Sequence, residues 1–495
     1  MIDKPKFDVA AMRDKTLARP TWLQVGAGNI FRIFVAGLQQ DLLDAGLADT
    51  GIIVYEAYDE EIIEKAFKPF DNRTLGVTLR ADGSLEKREI ASIADAFAGD
   101  TARLYGIIAA PSLQMISIII TEKGYAVDPA NICASPQAAA TTIEQVTAGL
   151  LARFNAQAAP LALVTMDNFA ENGTQLAQAI RTVAESWEKA GLVSREFIEY
   201  LGKQAYPWTM IDKITPRPSP EVAKMLAADG YNATEITETA KHTFVASFVN
   251  AESAQYLIIE DNFPNGRPPL ERAGAYMTDR ETVKKTDQMK VCACLNPLHT
   301  ILAVSGMLLG YPTIWQCMED ARLVKLIKKS AQEALPVVEN PGIIDPEDFL
   351  NTVLTERFPN PFIPDQPVRI ACDTSQKVPV RFGVAMQERM KTGIPTGDLE
   401  AAPLFVALWL RYLMGKDDNG NPIEVSPDPR LPEAFKALEG LAFGGIVDLA
   451  PMLSDATTFG VSLYDAGLGE KITALFAELA SAPGAVGKML DKLYG

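Results

Sequence analysis

Histidine is almost missing from this chain: His242 and His299 are the only two among 495 residues. A metal centre built on a histidine cluster is therefore excluded, because a tetrahedral site needs three or four ligands. Cysteine is sparse as well. The five (Cys133, Cys292, Cys294, Cys317 and Cys372) are odd in number and scattered, which suits a reducing cytoplasm and not a disulfide-stapled secreted domain. Cys292 and Cys294 lack the usual zinc spacing and a second Cys/His pair, so they read as small core thiols and no metal is expected. Positive charge is in deficit, with 46 Lys and Arg against 63 Asp and Glu for a net charge of -17. That balance argues against nucleic acid and anionic membranes as partners. The N-terminal MIDKPKFDVAAMRDK has no apolar signal region, and no uninterrupted apolar run is expected to approach a membrane span. A cytoplasmic location follows as the expectation. Internal repeats and low-complexity tracts are also lacking.

What is present is apolar content, 48% of the residues, in a chain too long for one ordinary core, so two domains are expected. TWLQVG reads as a strand running into GAGN, IFRIFVAGLQQDLLDAGL as a helix and GIIVYEAYD as a second strand, together a βαβ unit. VTLRADGSLEKREI carries an Asp82-Gly83 turn and reads as a hairpin decorating the sheet edge. MISIIIT, PLALVTM, WTMIDKIT and QYLIIED are further strand candidates, with helices such as SPQAAATTIEQVTAGLLARF between them. This alternation predicts a mostly parallel sheet covered on both faces. Beyond Arg280 only helical periods follow, apart from the loop DDNGNPIEVSPDPRLPEA. The boundary falls between Asp279 and Lys290, giving residues 1–285 and 286–495.

Three stretches carry chemistry. Gly26-Ala27-Gly28-Asn29-Ile30-Phe31 sits at the first strand-to-helix turn, where one glycine makes the turn and the next lets a pyrophosphate approach the helix N-terminus. Phe31 occupies the third glycine position of that fingerprint. Glu56 and Asp59, about 30 residues on at the end of the second strand, stand where a carboxylate would bond the adenosine ribose and favour NAD over NADP, or else form a solvated strand end. Thr165-Met166-Asp167-Asn168 follows an apolar strand whose carboxyl end is a ligand-binding place in such sheets, although Asp167 or Asn172 would also serve to cap the next helix.

The third stretch, KVCACLNPLHT, places Lys290, Asn296 and His299 within ten residues. Asn296 before Pro297 reads as an N-cap followed by a first-turn proline. In an unbroken helix six steps of about 100° leave Lys290 and Asn296 about 120° apart. If both serve one substrate with His299, a π-bulge, kink or helix restart is required between Met289 and Pro297. The alternative is a kinked core helix in which Lys290 snorkels to solvent.

GAGNIFR, TEKGY (residues 121–125), DNFAENG, DKITP (residues 212–216), IIEDNFPNGRP and K…CLNPLHT occur in this order, and together they resemble the mannitol dehydrogenase family of polyol-specific long-chain dehydrogenases. CLNPLHT with DTSQKVPVR (residues 373–381) is most similar to the fructuronate reductase branch. The resemblance implies a Rossmann-type doubly wound α/β domain with an added hairpin, an all-α second domain, and the active site between them. It implies metal-independent, NAD-dependent interconversion of a keto sugar acid and its hydroxy acid, D-fructuronate and D-mannonate. By the same resemblance Lys290 is the general acid/base, Asn168 and Asn296 hold the reacting oxygen, and His299 orients the site. Gly26, Gly28, Asn29, Ile30, Phe31, Glu56, Asp59 and Asp167 would contact the cofactor, and Glu122, Asp212, Lys377 and Arg381 the substrate. Lys377 and Arg381 would pair with a sugar-acid carboxylate, or else with surface acids. A polyol dehydrogenase acting on mannitol or arabinitol shares these motifs, whereas a non-catalytic dinucleotide sensor would not need the Lys/Asn/Asn/His set. The expected partner is a small sugar acid or polyol, and the expected assembly a monomer or weak homo-oligomer.

Overall fold

Short apolar strands alternating with helices, then helices alone, give the chain two kinds of core. In the computed structural model, which describes every residue from Met1 to Gly495, these separate into the units Met1–Lys284 and Lys285–Gly495.

In the first unit β1 (Trp22–Val25), β2 (Ile52–Glu56), β3 (Ile93–Ala98), β4 (Met115–Ile118) and β5 (Ala162–Thr165) form one sheet in the order β3-β2-β1-β4-β5. Every pair is parallel. All residues of β1, β2, β4 and β5 are buried, as strands covered on both faces must be. The pleat sorts them: Trp22, Val54, Met115 and Val164 enter one apolar layer, and Leu23, Ile53, Ile116 and Leu163 the other. A slip of one residue would exchange the layers, each large side chain being worth about 1.5–3 kcal/mol of burial. Val25 pairs with Tyr55 and Ile118, and Ile118 with Thr165, so the carboxyl ends align along one edge. Strand order reverses beside β1 at that edge, which makes it the crevice where such sheets take ligands.

Several expectations are corrected here. The hairpin Thr74–Leu79/Leu85–Ile90 is present, yet it does not decorate the parallel sheet. Its outer strands pair with Ile2–Asp3 and Phe248–Glu252 in a separate four-stranded sheet. Thr209–Asp212 and Tyr256–Glu260 also leave the main sheet, pairing antiparallel in a three-stranded sheet with Tyr276–Thr278. β3 escaped the sequence reading because Asp95 interrupts its apolar run; that carboxylate is bound by Arg103. One helical run, Arg280–Leu309, is after all long and apolar enough by composition to cross a membrane. Its apolar window is 78% buried within the protein, as in a core helix.

The second unit is helical apart from one isolated bridge between Lys416 and Pro422. Ala401–Tyr412 is buried at all twelve positions, the mark of a helix apolar all round. Its one charge, Arg411, is enclosed by the carbonyls of Lys416 (2.7 Å) and Asp417 (2.8 Å). The N–H groups that open this helix are satisfied by Glu333, whose carboxylate accepts from Glu400 N (2.7 Å) and Ala401 N (3.0 Å), as free helix N-termini require.

At one position in the first unit a left-handed backbone coincides with a close backbone contact. Gly26 has φ +94°, and a Cβ there would lie 2.0 Å from Ile119 O. Gly26→Ala is expected to lower the stability of this unit by roughly 2–4 kcal/mol. Urea denaturation followed by tryptophan fluorescence checks this, and an unchanged midpoint would mean the turn relaxes freely.

Candidate active site

The first unit presents a turn, two carboxylates and a cavity along the carboxyl edge of the sheet. Gly26 N donates to Tyr55 O (2.8 Å), and Gln24 Nε2 satisfies the carbonyls of Val25 (2.8 Å) and Gly26 (2.9 Å). A Cβ on Gly28 would meet nothing within 4 Å, so the backbone lies open to an approaching group, as a pyrophosphate cradle requires. Helix then begins at Asn29 and widens into a π turn over Phe31–Val35. The Phe31 side chain is wholly buried in an apolar layer, so a cofactor contact there would fall to its backbone. Ile30 is half-buried at the start of the same turn. Arg32, which sequence reasoning missed, is fully buried without an acidic partner. It donates to Ala246 O (2.9 Å) and Thr74 Oγ1 (3.1 Å) and lies 3.5 Å from Asn29 Oδ1. Burial lowers its pKa to about 10. A lone charge within IFRIFVAGL was the available signal.

Neither Glu56 nor Asp59 is a solvated strand end. Glu56 Oε2 accepts from Ala27 N (2.7 Å), and Oε1 from Tyr58 N (2.9 Å) and Asp59 N (3.1 Å). Asp59 Oδ2 accepts from Thr239 Oγ1 (2.7 Å). Glu56 thus ties the end of β2 to the glycine turn. Just beyond, a cavity of about 420 Å³ is lined by Ala57, Tyr58, Lys123, Val127, Ile132 and Thr141 among others.

Asp167 is likewise engaged inward. Its carboxylate accepts from Ile120 N (2.8 Å), Thr121 N (3.1 Å) and Tyr125 Oη (2.7 Å). Burial raises its pKa against those donors. It therefore fixes the loop after β4, and its expected cofactor contact is corrected to that extent. Asn172 is no cap either; the residue before the helix Asn172–Lys189 is Glu171, in a left-handed conformation. Asn172 instead bridges Asp167 O (3.0 Å) and Thr209 (2.9 Å to Oγ1). Asn168, next to this anchored aspartate, is exposed, as is Glu122, while Asp212 is buried at the end of its strand.

In the second unit the backbone departs from an α-helix where the sequence reading required it. Arg280–Met289 is α-helical, Lys290–Cys294 forms a π turn closed by Leu295 N to Lys290 O (3.1 Å), and a new helix covers Asn296–Leu309. Leu295, with φ -133° and ψ -65°, makes the break. The expected cap is shifted by one: Leu295 precedes the helix, Asn296 is its first residue, and the Asn296 carboxamide caps nothing. Lys290 does not snorkel. It is 1% exposed, with Nζ 3.8 Å from Asp287 Oδ1 one turn back. Cys292 and Cys294 are buried thiols, each raised to about 12 by burial.

His299 Nε2 lies 3.3 Å from Asp365 Oδ2, outside good hydrogen-bond alignment, and its ring rests against Phe358. Burial lowers its pKa and Asp365 offsets this only in part, so the imidazole is neutral near pH 7. Burial raises the Asp365 carboxyl, but His299 and Arg369 outweigh it and hold it below the ordinary range. Asp365 and Asp287 were not found from sequence; single acids in a turn or on a helix face carry no local signature. Lys377 and Arg381 form no surface salt bridges. Lys377 Nζ donates to Ile370 O (2.8 Å) and to Cys372 O, and burial together with nearby Arg381 brings it to about 8. Arg381 Nη1 donates to Asn296 O (3.3 Å) and to Thr300 Oγ1, and burial brings it to about 10.

Two family profiles match consecutive stretches: the mannitol dehydrogenase Rossmann domain at residues 20–272 and the mannitol dehydrogenase C-terminal domain at residues 282–480. A D-mannonate oxidoreductase of Thermotoga maritima is 45% identical, covering 99% of this chain and 95% of its own. A mannitol 2-dehydrogenase of Neosartorya fischeri is 30% identical over 75% of this chain and 72% of its own. Among solved structures, a D-sorbitol dehydrogenase in substrate-free form superposes with a TM-score of 0.80 at 22% identity, covering 98% of this chain and 96% of its own. Pseudomonas fluorescens mannitol 2-dehydrogenase, in a ternary complex with NAD and D-mannitol, gives 0.70 at 24% identity, covering 99% and 96%. At such identities the solved structures speak to the fold, and the fold class expected from the sequence is the one they share.

A neutral, half-buried histidine has a consequence for stability. The folded pKa of His299 lies below its ordinary 6.5, so as pH falls through about 6.5 the unfolded chain takes up a proton that the folded chain refuses. Stability is therefore lost on acidification from about 6.5 down to the folded pKa. His299→Gln is expected to flatten this part of the profile. Urea denaturation of both proteins across about pH 5–8 measures the difference, and parallel profiles would reject a neutral imidazole in the folded protein.

Proposed function

We propose that this chain, which belongs to the mannitol dehydrogenase family, is an NAD-dependent oxidoreductase that interconverts a keto sugar acid and its hydroxy acid, D-fructuronate and D-mannonate. The observation that carries this reading is the π turn at Lys290–Cys294, which buries an amine beside a helix restart bearing an uncommitted amide and a neutral imidazole. A 45% identical relative named for mannonate supports the substrate class.

The glycine turn fits a dinucleotide, since Gly28 is open and Gly26 makes the left-handed turn. Gly26, Gly28 and Asn29 would hold the pyrophosphate, and the cavity beyond Tyr58 the adenosine. The carboxylates of Glu56 and Asp59 would repel the 2′-phosphate of NADP. The bound dinucleotide supplies the hydride. Lys290 Nζ holds the proton that the substrate oxygen receives and takes it back in the reverse direction. The Asn168 and Asn296 amides donate to that oxygen as its negative charge grows. Neutral His299, beside Asp365, orients a substrate hydroxyl, Glu122 and Asp212 accept from others, and Lys377 pairs with the carboxylate. The direct partners of Lys377 are carbonyls, with Asp373 acting on it only from a distance, so the ammonium has no paired carboxylate, which favours a sugar acid over a neutral polyol.

Lys290→Ala is expected to abolish NADH oxidation with D-fructuronate while NADH still quenches tryptophan fluorescence. Asn168→Ala and Asn296→Ala are each expected to lower kcat by about 10² or more. Retained turnover in Lys290→Ala, or losses confined to KM, would remove these residues from the chemistry.

The Lys377 ammonium loses its charge as pH rises through about 8. The ratio of kcat/KM for fructuronate to that for fructose is therefore expected to fall above about pH 8, since only the acid needs the ammonium and the Lys290 step is common to both. Lys377→Met should make the ratio low and independent of pH. A preference for fructose throughout would support the polyol reading instead.

A further inference from the structure

Lys377 and Arg381 stand four residues apart, yet their surroundings differ. Arg381 belongs to a second π turn, Pro379–Gly383, and this turn touches the first, Cys292 Sγ lying 3.3 Å from Val380 O. The seam is nearly closed, with a gap of about 20 Å³ bordered by Cys292, Pro297 and Phe382. The second turn is anchored from behind, because a Cβ on Gly383 would lie 2.2 Å from Phe459 O. From this fixed base Arg381 Nη1 reaches Asn296 O (3.3 Å) and Thr300 Oγ1, while Thr300 Oγ1 itself donates to Asn296 O (2.9 Å). Asn296 O therefore collects two side-chain donors at the first residue after the helix break.

We propose that Arg381 is a positioning residue: by holding Asn296 O and Thr300 it sets the direction in which the restarted helix aims the Asn296 carboxamide, and so governs turnover more than substrate affinity. This rests on the reading that Asn296 donates to the reacting oxygen. The physical case is that the start of this helix has few other ties. Leu295 offers no side-chain cap, Pro297 has no N–H, and the break itself is spanned by two backbone bonds alone, Leu295 N to Lys290 O (3.1 Å) and His299 N to Leu295 O (3.0 Å). A guanidinium spans the gap because its planar donors serve two acceptors at once. Holding that charge half-buried without an acid is costly, and a residue doing no more than filling space would be apolar.

Arg381→Met is expected to lower kcat by about 10- to 100-fold, the scale of a misplaced group, with KM for fructuronate changed by less than about threefold. Arg381→Lys should recover part of the loss, and Thr300→Val should give a smaller loss of the same kind. In an Asn296→Ala background Arg381→Met should cost less than about threefold, because the group it aims is gone. Thermal melting and NADH-dependent fluorescence quenching establish that each variant is folded. Additive losses in the double variant, a loss mainly in KM, or Thr300→Val with lower stability and unchanged kcat would each overturn the proposal. If Asn296→Ala alone keeps native kcat, the catalytic reading of Asn296 has failed, a different outcome from additivity. Should Arg381→Met not fold, the Thr300→Val result and its cycle with Asn296→Ala decide the question on the same criteria.

Discussion

The arrangement of polar groups in the second unit depends on one extra residue in a helix. An α-helix winding through Met289 to Pro297 would leave Lys290 about 120° from Asn296, and no choice of rotamers closes that angle. The π turn at Lys290–Cys294 with the break at Leu295 replaces that regular spacing. Such a turn is less stable than an α-helix and persists only where its surroundings hold it. Here those surroundings are visible: a proline that cannot continue the old helix, a neighbouring π turn that packs against it, and a guanidinium on the first carbonyl of the new helix. The buried amine of Lys290 is a product of the same turn.

The first unit solves a parallel problem with carboxylates. Loops at the carboxyl edge of a parallel sheet leave N–H groups without strand partners. Glu56 takes those of Ala27, Tyr58 and Asp59, and Asp167 takes those of Ile120 and Thr121. Acids that the sequence offers as ligand contacts are thus first of all the pins of their loops. A ligand would meet what they hold in place: the open backbone at Gly28 and the exposed Asn168.

How far this was legible in the sequence follows from the range of each interaction. The parallel sheet could be read because its strands are continuous apolar runs, and the helix break because Asn-Pro and the angular spacing are local. The fates of WTMIDKIT and QYLIIED could not, since their pairing partners lie far away in sequence. Phe31 occupied a glycine position in the motif, but only the packing shows its ring pointing into the core. Asp365 illustrates the limit best. It is set among prolines with nothing to single it out, and it gains a role only because the fold brings it to His299.

The treatment of positive charge ties these observations together. In a chain of net charge -17, several cations face inward, and carbonyl oxygens receive them. Arg32, Arg153 and Arg411 are fully buried in this way. Carbonyls solvate a cation without cancelling its charge, so each such site keeps a positive potential that burial makes costly. For Arg153 and Arg411 the benefit is structural, since each gathers the ends of neighbouring segments. Lys377 and Arg381 repeat the device four residues apart, so that each raises the cost of the other, and Lys377 is brought to about 8. The two part in what they serve: Arg381 is occupied by Asn296 O and Thr300, whereas Lys377, with Asp373 acting on it only from a distance, is the cation that the proposed sugar carboxylate would join during turnover.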